Sequence, residues 1–360
     1  MKKRQLSGGI FLLLLVIAVA AAFLYNRPVL RQAKMDYTKY SVEHDLDQTG
    51  SLVGFTDQHQ YYMNSRGDEF VYYLLSDGIL NEIYTSDASA IFFDDAYDDA
   101  LIIGEFSASK EMRFTIKKIG NKTEELLYED VCKGIPNIRK VGDFLVIDYG
   151  KHDSGRVVNP LILLDLNKNS QKTIAEYGYQ MDEDGNCTGD LLQTADGFDE
   201  GVVFEVIRFD HEPMQTDETG KTELFYYDFA SETIQQLPIE PERKLLYAGG
   251  DRECVITSDY AYAMPLEDIG ILYVLKGEKY VKLQIPEIDS ANDIRQAYRI
   301  SDHMIAVNTI YDLYFINVKN FTYERIQNVF GVRKFKETIA YTKREGDMEF
   351  CVFQGGDNEQ

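Results

Sequence analysis

Leu161 to Ile174 reads LILLDLNKNSQKTI. An apolar run gives way to a polar turn built on Asn and Lys, and the return alternates polar with apolar positions. That pattern predicts an antiparallel β-hairpin. It recurs as FVYYLLSDGILNEI from Phe70, FTIKKIGNKTEELL from Phe114, LFYYDFASETIQQL from Leu224, ILYVLKGEKYVKL from Ile271 and LYFINVKNFTYERI from Leu313. A seventh copy, FCVFQGGDNEQ from Phe350, holds an outgoing strand and no return. Ahead of the hairpins runs a second pair of strands, as in AIFFDDAYDDALIIGEF from Ala90, IRKVGDFLVIDY from Ile138, LLQTADGFDEGVVFEVI from Leu191 and VRKFKETIAYTKRE from Val332. Most of the joining turns carry Gly or Asp, as tight turns demand.

The hairpins begin at 70, 114, 161, 224, 271, 313 and 350. Four-stranded antiparallel units repeating about every 47 residues predict an all-β chain arranged as a β-propeller. Past Lys34 no stretch shows a helical period of useful length. The unpaired seventh copy asks for a partner, and Asp36 to Leu46 has the pattern to supply it. Pairing the two ends removes exposed sheet edges. The expectation is therefore seven blades, the last built from three C-terminal strands and one N-terminal strand. Six blades with a ragged end is the alternative. The repeat resembles the β-propeller superfamily from Asp36 to Phe353 and matches none of its named blade families. Trp is absent, whereas WD, YWTD and quinoprotein blades depend on it. Kelch blades carry a Gly-Gly doublet, and past Lys34 only Gly249-Gly250 and Gly355-Gly356 occur. The Tyr-rich pattern with Asp and Asn turns is most similar to divergent exported bacterial propellers, the Tol-type among them. The resemblance implies ligand or partner binding over one propeller face and fixes no residues.

The chain opens MKKRQLSGGIFLLLLVIAVAAAFLYNRP. A basic cluster precedes an unbroken apolar run from Gly8 to Tyr25, which as a helix spans roughly 27 Å, about one hydrocarbon core. Residues 1–25 are expected to form a single-pass membrane anchor or signal segment, and 26–36 a short basic linker. The propeller then runs over 37–354, with 355–360 as a tail. The basic flank places the propeller outside the cytoplasm. Small residues at 18–22 fit a cleavage site, so secretion after cleavage is the other reading.

Charge then separates the two parts. All 60 acidic residues follow Lys34, leaving a formal balance of −29 from Met35 onward. Such a surface repels nucleic acid, and no basic stripe offsets it. The four cysteines form no CxxC pair and the five histidines no HxxH or HExxH, so neither points to zinc. No phosphate-cradling loop, dinucleotide fingerprint or GxSxG elbow occurs.

Two acidic clusters remain as candidate chemistry. Asp182, Asp184, Asn186 and Asp190 stand at relative positions 1, 3, 5 and 9, the spacing of a hard-cation loop, and make a calcium candidate. Gly185, Cys187 and Gln193 depart from the EF-hand pattern. They lie in the first of two insertions, 177–190 and 209–222, that widen the longest repeat. Insertions in a repeat map to one face, where function often sits. Asp94, Asp95, Asp98 and Asp99 form the second cluster, read as a solvated turn or a cation site. Arg66-Gly67-Asp68 and the sequons at Asn121, Asn186 and Asn320 fall at turns. The function expected is a non-catalytic binding or scaffolding module for an envelope or surface protein. The alternative is a hydrolase or lyase acting on a carbohydrate or lactone, with a cation near the central channel.

Overall fold

The structure is a computed structural model that describes residues 29–42, 50–108, 111–213, 220–241, 245–259, 270–286, 288, 294–343 and 348–353. The anchor or signal segment 1–25, part of the 26–36 linker and the tail 355–360 lie outside the described residues. Among the described residues there is no helix, hence none long and apolar enough to cross a membrane.

Thirty described strands form six hydrogen-bonded sheets. Four are runs of four successive antiparallel strands: 51–86, 90–131, 245–284 and, with one addition, 294–327. The hairpins close as the turn chemistry dictates. Asp77 and Gly78, for example, both take positive φ, 53° and 75°, the geometry that a two-residue turn between right-twisted strands requires. A nine-stranded sheet covers 137–236 and contains two such runs, 137–181, into which the short strand Lys151–Asp153 is added, and 186–236. The last sheet is completed from the other end of the chain. Thr38–Val42 pairs antiparallel with Met348–Val352, Thr38 opposite Val352 and Val42 opposite Met348, and Tyr40 stacks on Phe350 at 4.9 Å.

Alternation gives each sheet two apolar faces, and each face is buried against the next sheet. Ile102 and Ile116 pack with Leu145 and Ile147, and Ile256 and Leu272 with Ile305 and Tyr314. Leu52, Phe55 and Tyr62 of the first sheet meet Ala340, Met348 and Phe350 of the last, so the succession of shared cores closes on itself. The first strands of the units lie innermost and touch in turn: Val329–Phe335 against Ser51–Phe55, then Ala90–Tyr97, Asn137–Val141, Asn186–Phe198, Leu245–Gly250 and Ile294–Ser301. They approach closely. A Cβ on Gly54 would stand 2.4 Å from the backbone N of Ala96, so glycine is required there.

Two stretches differ from expectation. Arg31–Gln32, inside the stretch expected as a linker without strands, forms a short strand parallel to Thr322–Gln327. Leu30 and Met35 on either side are buried. The first insertion is strand rather than loop. Ser170–Met181, Asn186–Phe198 and Gly201–Pro213 run on past the neighbouring strands as a ribbon. Tyr179, Cys187, Leu191, Ile207 and Phe209 give that ribbon its own small core. All four cysteines are buried, free thiols.

Candidate functional site: the charged mouth of the channel

Four first strands end in tight turns around a cavity of about 300 Å³, and Ala297, Tyr298 and Arg299 from within a fifth complete its wall. Its wall is polar at the rim, with Asp95, Asp98, Lys140, Asp143, Asp199, Lys334 and Lys336, and aromatic between, with Tyr97, Phe198, Tyr298 and Phe335. The charges meet partners from other sheets. Lys140 Nζ lies 3.1 Å from Asp95 and donates to the Ala96 carbonyl at 2.5 Å. Lys334 reaches Asp199 at 3.5 Å, an ion pair between strands three neighbours apart around the ring. Lys336 turns outward to Asp57 at 2.5 Å. Arg299 binds Asp251 through Nε at 2.9 Å and also through Nη2, with its guanidinium over the Phe198 ring.

Two rim carboxylates differ. Asp98 and Asp143 have no cation within ion-pair distance among the described residues. The Tyr97 hydroxyl stands 3.2 Å from Asp143 and 2.7 Å from the Asn167 side-chain oxygen. Burial, then the charge of Asp143, pushes the Tyr97 phenol up, so it stays a protonated donor.

Below the rim the wall holds a second layer. Arg333 donates to Asp94 at 2.9 Å and to the Val53 and Val332 carbonyls. Burial raises the Asp94 carboxyl even though Arg333 pulls the other way. Asp196 is 1% exposed. It accepts from the Tyr247 hydroxyl at 2.8 Å and from the Gly197 N–H at 2.8 Å, with Arg139 Nε 3.7 Å away. Tyr247 in turn accepts from the Ala297 N–H at 3.0 Å. Burial pushes Asp196 up to about 6 against the charge of Arg139, and Asp148, bonded to the Asn137 amide at 2.8 Å, up to about 7. A Cβ on Gly249 would collide with the Tyr247 hydroxyl at 2.4 Å, so this layer leaves no spare room.

The structure splits the second acidic cluster. Asp94 and Asp95 enter the channel wall, Asp98 stands on the rim and Asp99 is exposed. Of the calcium candidates, Asp182 and Asn186 come together in the ribbon's turn. The Asp182 carboxylate accepts from the N–H of Asp184 and Asn186, and from the Asn186 amide at 3.1 Å. Asp184 is exposed, and Asp190 sits along the strand, paired to Arg208 at 2.9 Å. Among the described residues no group of three or more His, Cys, Asp or Glu is gathered around a metal-sized position. Arg66 of the Arg-Gly-Asp turn is paired with Glu82 at 2.9 Å.

Lys140, Arg139, Arg333 and Lys334 were not singled out from the sequence. A signal was available: Ile138-Arg139-Lys140-Val141 and Val332-Arg333-Lys334-Phe335 repeat one pattern in two first strands. In both, Lys lines the cavity and Arg reaches a carboxylate that is less exposed than itself, Asp196 or Asp94.

No known protein-family profile matches the sequence, and no curated protein matches it. Solved structures do. The N-terminal domain of Nup159 aligns over 91% of this chain and 98% of its own, at 10% identity and TM-score 0.53. The β-propeller domain of the Trilobed protease from Pyrococcus furiosus, described as having an open velcro topology, aligns over 91% and 95% at 10% identity and TM-score 0.52. Pyrococcus horikoshii acylaminoacyl peptidase aligns over 84% of this chain at 12% identity and TM-score 0.51, and the match spans about half, 49%, of that enzyme. With the closed succession of four-stranded sheets, these likenesses establish the fold. It is a β-propeller.

Proposed function

We propose that the chain is a membrane-tethered, extracytoplasmic propeller of seven blades, a non-catalytic binding or scaffolding module whose channel mouth grips an envelope or surface protein. The observation that carries the reading is the charge state of the mouth. Its cations are already matched to carboxylates, while Asp98 and Asp143 are left beside Tyr97, Phe198 and Phe335. Carboxylates against aromatic faces suit a Lys or Arg side chain presented by a partner. Partner capture by the soluble form from Arg27 onward, offered detergent-solubilised envelope extract, tests this. One protein retained in stoichiometric amount, and lost with the Asp98→Asn/Asp143→Asn variant, is the expected result. Retention indifferent to the variant sinks the mouth as the site, and no retention sinks the scaffold.

Seven blades are supported by seven first strands in mutual contact, and an experimental density map would count them. One observation bears on the enzymatic alternative: burial pushes Asp148 up to about 7 and Asp196 up to about 6, the range in which acid–base groups work. A hydrolysis screen over oligosaccharides and lactones, with Asp196→Asn as control, decides it. No turnover, or turnover that the variant retains, ends that reading.

A further inference from the structure

We propose that the mouth end of the propeller faces the membrane that anchors the chain, so the partner it grips lies against the bilayer surface. This rests on the membrane-tethered reading above and adds a direction to it. The direction comes from strand register. Arg31 and Gln32 pair parallel with Thr322 and Tyr323, so the chain arrives at the blade where Thr322 begins its strand. Asn317 lies opposite both Thr322 and Met304, and Ser301 opposite Met304. The 317–322 and 301–304 turns therefore share one end of that blade. The turn after the first strand is also the turn that rims the cavity in four other blades, at 97–100, 141–144, 198–201 and 335–338. Chain entry and mouth are at the same end.

The chain is held firmly where it enters the blade. Leu30 is buried in the core between two sheets. The Arg31 N–H donates to the Phe321 carbonyl at 2.9 Å, the Ala33 N–H to the Tyr323 carbonyl at 2.8 Å, and the Met35 N–H to the Glu324 carboxylate at 2.7 Å. The apolar run ends at Tyr25. Five residue steps from there to Leu30 reach at most about 17 Å; a headgroup layer takes roughly 5–7 Å of that, and the rest is shorter than the blade, about 20 Å from end to end. A blade cannot turn over on such a leash. The surface near the entry also differs from the acidic whole. Arg31, Lys276, Lys279 and Lys319 are exposed there, with Lys276 over the Phe321 ring at 5.2 Å, against Glu253, Glu278 and Asp302. That local balance spares the entry patch the repulsion that the acidic surface elsewhere would feel near anionic lipid.

The test uses the full chain in phosphatidylcholine vesicles carrying a trace of lipid with an energy acceptor on its headgroup. All four native thiols are buried, so a donor dye goes to one introduced cysteine. Lys319→Cys marks the mouth end, and Tyr311→Cys the far end of the same blade, about 20 Å away along the strand. Donor quenching at 319 is expected to exceed that at 311 several-fold. Equal or reversed quenching in chains that resist an alkaline carbonate wash overturns the orientation and leaves the tether intact. Chains that wash off overturn the tether itself, and the orientation with it. A long Gly-Ser insertion between Arg27 and Pro28 should erase the difference. A difference that survives the insertion shows that the leash does not set the orientation.

Discussion

The two acidic clusters read alike in the sequence and end in opposite surroundings. At 94–99 two of four aspartates are carried into the channel wall, where Arg333 and Lys140 arrive from other sheets to meet them. At 182–190 the carboxylates stay on a projecting ribbon, where Asp182 ties its own turn and Asp190 takes the nearby Arg208. The first cluster holds the ring together. The second holds only itself. What separates them is the position of the turn: a first strand runs beside the axis, where blades converge, and the ribbon runs away from it. Burial then multiplies the value of each charge pair, since a charge stripped of water costs far more to leave unmatched.

The sharpest way to break the comparison is to remove a partner in each place. Arg333→Met leaves the part-buried Asp94 without its cation, and stability should fall by about 2–3 kcal/mol. Urea unfolding measures it. The double variant Arg333→Met/Asp94→Leu should recover most of that loss, because replacing a buried pair by apolar groups is near neutral. A single variant within about 1 kcal/mol of the parent would mean that water already reaches the pair.

Acidity gives the next contrast. Asp148 is pushed up to about 7 by burial, so the folded chain holds a proton there that the unfolded chain releases near the ordinary Asp value. Its contribution to stability is full below about pH 4 and lost as pH rises to about 7. Asp148→Asn, which keeps the size and removes the charge, should therefore stabilise the chain by a few kcal/mol at pH 8 and not at pH 4. Thermal melts at the two pH values check the sign. An equal effect at both would show that the carboxyl is not held up by burial.

On the ribbon the same operations should do little. Asp182→Ala removes an acceptor from two backbone N–H groups and from the Asn186 amide, all exposed. Water replaces most of what is lost, and the cost should be about 1 kcal/mol or less. Hydrogen exchange should rise at the 182–186 turn and remain unchanged in the channel wall. Exchange that rises in the wall as well would join the two regions that the comparison separates.

These contrasts also divide what the sequence disclosed from what it withheld. Hairpins are local: an alternating run, a turn such as Asp77-Gly78 and a returning run are all written within fifteen residues, and the strands lie where those patterns place them. The join between Thr38–Val42 and Met348–Val352 was legible because one copy lacked its partner and one stray strand had none. The ribbon was obscured by its turn. Tyr177, Tyr179 and Met181, then Cys187 and Leu191, keep the period of two, but the acidic stretch between them reads as a loop. The mouth was not legible as a site. Its ion pairs join residues such as Lys334 and Asp199 that only closure of the ring brings within reach, and no local pattern records that distance. The doublets Arg139-Lys140 and Arg333-Lys334 marked the lining, without naming the acids they would find.

Calcium at the ribbon is the smallest effect and the one that tests the spacing alone. Asp182, Asp184, Asn186 and Asp190 supply oxygens in an order that suits a hard cation, and the proposal for this turn follows from that order. The observed contacts say what binding must undo. Asn186 directs its amide N–H₂ toward Asp182 and would have to turn its oxygen inward, and Asp190 would have to leave Arg208. Arg208 is therefore the competitor for the ion. Replacing it by Met frees Asp190, while Glu223 keeps Lys221 at 2.9 Å. Calcium titration followed by thermal melts should then show a small rise in Tm for the parent chain and a larger one for Arg208→Met, both abolished by Asp182→Ala. If Arg208→Met responds no more than the parent, or neither responds at millimolar calcium, the spacing is that of an ordinary acidic turn. The two clusters would then differ in partners alone and share no chemistry.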